Sequence, residues 1–92
     1  MSRPIYRKWY ELDGYTFHYW KIYQSKNGTI THCLGVSFQT EKVRSIETVK
    51  IIFDEIYLRV PKSAKTITKD QFEKKYNLAL KKIAYINRQS KF

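Results

Sequence analysis

Apolar and polar positions alternate through the first forty residues of the chain and change rhythm afterwards. Ile5–Leu12, Tyr15–Gln24 and Thr29–Phe38 each read as strands, rich in aromatic and β-branched residues. Asp13-Gly14 and Asn27-Gly28 separate them. Both dipeptides suit two-residue type I′ turns, in which each central residue needs a positive φ. The pattern predicts a three-stranded antiparallel meander.

Between Ser45 and Leu58 two signals compete. β-Branched residues favour a strand, and a fourth strand through 49–60 is the alternative. At 100° per residue, however, Ile46, Val49, Ile52, Phe53, Ile56 and Tyr57 fall within an arc of about 140°, with Ile51 out of place. The periodicity predicts a helix over 45–58, ended by Pro61 and followed by a basic connector, Lys62–Ile67. A second helix begins at Thr68, where Gln71 three residues on completes a capping box and Ile67 and Phe72 form a hydrophobic staple. Phe72, Tyr76, Ala79, Ile83 and Ile86 carry one apolar stripe down it to about Arg88. The expected fold is a single α+β domain over residues 1–92: a three-stranded antiparallel β-meander followed by two α-helices packed on one sheet face, in the order β-β-β-α-α.

Turn positions fix the expected register, and the register sorts side chains into faces. Tyr10 should lie opposite Phe17, Trp9 opposite His18, Trp20 opposite Gly35 and Arg7 opposite Trp20. Tyr6, Tyr10, Leu12, Tyr15, Phe17, Tyr19, Tyr23, Ile30, Leu34, Val36 and Phe38 then share the face that the helices cover. Arg7, Trp9, His18 and Trp20 share the other, with mostly polar neighbours. Aromatic rings flanked by cations are how many sheets stack on bases. The structural alternative is that Trp20 simply covers the gap beside Gly35. On the last helix Lys74, Lys81 and Arg88 line up seven residues apart, about 10 Å from one to the next. Leu78 and Tyr85 lie beside that row, and Lys75 and Lys82 flank it. Such a row either keeps a helix solvated or forms a ridge for phosphates or an acidic groove.

Charge adds a direction. The net charge is +10, but residues 1–55 hold eight Lys/Arg against six Asp/Glu, whereas 56–92 hold ten against two. A field of this kind draws polyanions. The layout of three strands and a helix, with Asn27-Gly28, Leu34-Gly35, Phe38 and Phe53-Asp54 in that order, resembles small DNA-binding domains such as integrase arm-binding domains. That resemblance implies DNA binding through the sheet, although these strands lack the dense arginines such sheets carry.

Catalytic chemistry is thin. The register separates His18 and His32 onto opposite faces. His32 and Cys33 are adjacent in a strand, so their side chains point apart. With one cysteine there is no intrachain disulfide, and neither metal-ligand spacing nor a phosphate-cradling glycine loop is present. No cofactor is expected. The first twenty residues lack an apolar signal segment and no run approaches bilayer length, so a cytoplasmic protein without membrane association is expected. The sequence points to a non-catalytic nucleic-acid-binding module using Arg7, Trp9, His18, Trp20, Lys74, Lys81, Tyr85 and Arg88. The alternative is a protein-binding adaptor or inhibitor, of the kind that phages and mobile elements carry, gripping an acidic protein surface. Oligomeric state is left open.

Overall fold

The computed structural model describes residues 3–27, 30–54 and 61–89. Five antiparallel strands, β1 (Ile5–Tyr10), β2 (Thr16–Gln24), β3 (Ile30–Thr40), β4 (Glu47–Asp54) and β5 (Lys65–Thr66), form one sheet in the order β4-β3-β2-β1-β5. Among the described residues there is one helix, α1 (Lys69–Gln89), which lies across one face. The expected arrangement of three strands and two helices is therefore corrected to five strands and one helix. Because β4 and β5 extend the sheet on both sides, the resemblance to a three-strand-plus-helix layout does not extend to the whole sheet.

β4 occupies the stretch expected to be helical, of which residues 55–58 lie outside the described part. Tertiary pairing decides the outcome. Thr48, Val49, Ile51 and Ile52 are β-branched and stiff at χ1, and β3 offers a full ladder from Thr40↔Glu47 to Cys33↔Asp54. The residue that the helical reading left out of place, Ile51, is opposite Val36 and packs with Val49 against the main core. Ile46, which the helical reading placed on its apolar stripe, is exposed instead. β5 went unforeseen within the expected connector; it is two residues long and pairs with Arg7 and Lys8.

Register follows the turn residues over most of the meander. Tyr10↔Phe17, Trp9↔His18, Arg7↔Trp20 and Trp20↔Gly35 all pair as expected. The first turn differs in type. Only Gly14 takes a positive φ, 74°, and the loop closes through Glu11 N–H to Thr16 O at 2.9 Å and Gly14 N–H to Glu11 O at 3.1 Å. Leu12 and Tyr15 therefore lie in a four-residue loop and are exposed rather than paired on the core face. Asp13 holds this loop with its side chain. Its carboxylate accepts the N–H groups of Tyr15 (2.8 Å) and Thr16 (3.0 Å) and the Thr16 hydroxyl (2.7 Å). Those bonds, the Tyr15 amide first, hold its pKa below the ordinary carboxylate value. At the second turn Gln24 pairs with Ile30, one residue off the register of a two-residue loop. Gly28 and Thr29 lie outside the described residues.

The helix opens as its sequence dictates. Thr68 N–H donates to Gln71 Oε1 at 3.0 Å and Gln71 N–H to Thr68 Oγ1 at 3.1 Å, the reciprocal pair of a capping box. Phe72 and Ala79 are buried against Tyr19, Val36, Phe38 and Ile67, with Phe72 ring-to-ring with Tyr6 at 5.6 Å. A second cluster, Trp20, Ile22, Cys33 and Ala64, occupies the opposite face of the sheet. No helix among the described residues is long and apolar enough to cross a membrane.

Candidate nucleic-acid interface

The expected binding residues divide between the two faces of the sheet. Arg7, Trp9, His18 and Trp20 project from the face opposite α1, as the register requires. They form a packed row there. Trp9, His18 and Trp20 stack almost parallel, with ring centroids 6.2 and 5.4 Å apart and interplanar angles of 17° and 14°. His18 Nε2 donates to Glu11 Oε1 at 3.2 Å, and Nδ1 lies 2.8 Å from Ser37 Oγ. The Trp20 indole lies over Gly35, where a Cβ would come within 3.2 Å of its Cδ1. Only 7% of Trp20 is exposed. Arg7 directs Nη1 at the Ala64 carbonyl, 3.3 Å away, and Trp9 flanks the Trp20 cluster half-buried. Trp20 thus has the structural role of covering Gly35, which leaves little of its ring for a base to stack on.

The other expected residues stand on α1. Lys74 and Lys81 are exposed, and Tyr85 is 63% exposed. Arg88 belongs to the same helix, one heptad after Lys81, and its side chain lies outside the described residues. Between this flank of α1 and the sheet lie three hollows that meet at shared lining residues and together form a groove. The first, about 150 Å³, is walled by Lys8, Gln71, Lys74 and Lys75 around Tyr10 and Tyr19, with Ile67 at its edge. The second, also about 150 Å³, lies among Phe17, Tyr19, Phe38, Lys75 and Leu78. The third, about 310 Å³, is bounded by Glu47, Lys81, Lys82 and Tyr85. Lys75 and Tyr19 join the first hollow to the second, and Glu47 and Lys82 join the second to the third.

Cations sit directly over the aromatic floor. Lys8 Nζ lies 5.1 Å from the Tyr10 ring centroid, Lys75 Nζ 5.5 Å from that of Tyr19, and Lys82 Nζ 5.6 Å from that of Phe38. Glu47 accepts a hydrogen bond from Lys82. Among the described residues the ion pairs include neither Lys8, Lys74, Lys75 nor Lys81. The Tyr19 hydroxyl points to that of Tyr10, 3.5 Å away. This contact and the nearby Lys8 draw the Tyr10 pKa down, while burial drives that of Tyr19 up.

Lys8, Tyr10, Tyr19 and Lys75 were absent from the residues expected to bind. One signal could have found them. Lys8 alternates with Tyr6 and Tyr10 and so projects from the face that α1 covers, an unusual place for an ammonium group unless it reaches the rim of the core. Among the described residues no group of His, Cys, Asp or Glu side chains is placed to hold a metal ion. No protein-family model, curated protein or solved structure matches this chain.

Proposed function

We propose that this protein is a non-catalytic nucleic-acid-binding module of the cytoplasm whose binding surface is the groove flanking α1. One observation carries the reading: Lys8, Lys74 and Lys75 border a single hollow, with Lys81 farther along, and none has a carboxylate partner among the described residues. Ammonium groups left without counter-charges gain most by meeting phosphates, because bound counterions are released when they do. Basic residues of 56–92 on α1, together with Lys8, then supply affinity, and the Trp9–His18–Trp20 row, with Trp20 buried, supports the sheet from behind.

Anisotropy of a labelled mixed-sequence oligonucleotide tests this. Binding at low salt should weaken with added salt, with a log–log slope of about −3 for four phosphate contacts to a single strand. Lys74→Glu with Lys81→Glu should weaken binding at least tenfold. Lys50→Glu with Lys62→Glu makes the same change in net charge on exposed positions outside the groove and should change affinity little. Absence of binding at low salt, or equal losses in the two double variants, would overturn the assignment.

The acidic-protein alternative is favoured by one feature, the exposed Leu78 and Tyr85 on the same flank, which suit the apolar side of an acidic helix. A polyglutamate peptide that binds more tightly than any oligonucleotide would select it.

A further inference from the structure

We infer that the groove takes single-stranded nucleic acid, with unpaired bases laid on its tyrosines, rather than a duplex; this rests on the nucleic-acid reading above. The shape of the surface is the first argument. The lysines lie over and beside aromatic rings in hollows between a helix and a sheet. In a duplex the flat faces of the bases are stacked on one another and the phosphates lie on the outside of a broad cylinder. Such a ligand can touch the lysines but has no free base face to lay on a tyrosine ring. Unpaired bases offer one, which is why single-strand sites combine a basic groove with aromatic platforms.

The second argument is the exposure of the rings. Tyr10 and Tyr85 sit in the first and third hollows, and both remain substantially open to solvent, Tyr10 beside the buried Tyr19 and Ile67. Tyr10 is oriented firmly, with Phe17 edge-on at 4.8 Å and an interplanar angle of 85°. Lys8 now covers its ring. A base stacking there takes the place of that ammonium, which becomes free to meet the adjoining phosphate. Glu47, the carboxylate lining the second and third hollows, is already neutralised by Lys82 and does not oppose an anionic strand with a free charge.

Length fits as well. From Gln71 to Tyr85 the helix rises about 20 Å. At the stacked spacing of 3.4 Å this accommodates roughly six nucleotides, and fewer when the strand is stretched.

The test compares an oligo-dT dodecamer, the oligo-dT·oligo-dA duplex of equal length and an oligo-U dodecamer at one low salt concentration. The single strand should bind at least tenfold more tightly than the duplex, with oligo-U, which differs from oligo-dT in both the 2′-hydroxyl and the thymine methyl, also binding more tightly than the duplex. Tyr85→Ala and Tyr10→Ala should each weaken single-strand binding fivefold or more and leave duplex binding unchanged. Tyr85 is the safer of the two positions for the fold, and thermal melting of both variants separates lost stacking from lost structure. Duplex binding as tight as single-strand binding, or a folded Tyr85→Ala variant with undiminished affinity, overturns the inference and leaves the basic groove standing. If neither oligonucleotide form binds, both readings fall together.

Discussion

Gly35 shows how far a single position can be read. Its place opposite Trp20 follows from the turn spacing, and the indole does cover the space that a side chain would fill. In an ordinary strand, alanine is preferred over glycine by about 0.5–1 kcal/mol. Here the added methyl group would press on the indole at 3.2–3.3 Å, and the indole is stacked on His18 and cannot readily yield. Overpacking of this kind costs about 1–3 kcal/mol. The second effect wins, so Gly35→Ala should lower stability by about 1 kcal/mol in urea denaturation. A gain in stability would show that the ring moves freely. Lys8 is the contrary case. Alternation alone sets it on the helix-covered face, but its value appears only when α1 leaves that end of the sheet open beside Tyr10 and Tyr19.

Elements were legible where local chemistry and tertiary demand agree. α1 begins at a capping box that three residues spell out, and Thr68→Ala should cost about 1 kcal/mol through loss of the Gln71 amide's acceptor. Thermal or urea denaturation measures it, and an unchanged midpoint would mean that water replaces the hydroxyl without loss. The first hairpin kept its register although its turn was misjudged, because Asp13 and Gly14 serve a four-residue loop as well as a tight one. β4 was legible only as the alternative that its β-branched residues favour, and for a definite reason. Its apolar residues sit at spacings that satisfy a helix, and β3 supplies hydrogen-bonding partners that the local sequence does not reveal. The open edge of β3 after the meander is what turns this stretch into a strand. β5 is too short for any periodicity to register.

Across the whole molecule, the asymmetry of charge along the chain becomes an asymmetry of faces. The basic C-terminal part supplies α1, and the helix carries Lys74, Lys75, Lys81 and Lys82 along one groove. That much of the candidate site was legible in composition and heptad spacing. The sheet's share of the groove was not, since it depends on where α1 crosses the strands. The expected register sets the tyrosines of the first strands toward the helix and both tryptophans away from it, and the structure keeps that division. This division has a practical result. The protein's intrinsic ultraviolet emission comes mainly from two indoles that share one imidazole between them, on the reverse of the sheet from the groove. It should therefore shift strongly when the chain unfolds and stay nearly constant when an oligonucleotide saturates the groove, with occupancy followed by a label on the ligand. Emission that instead tracks saturation would place the ligand on the tryptophan side.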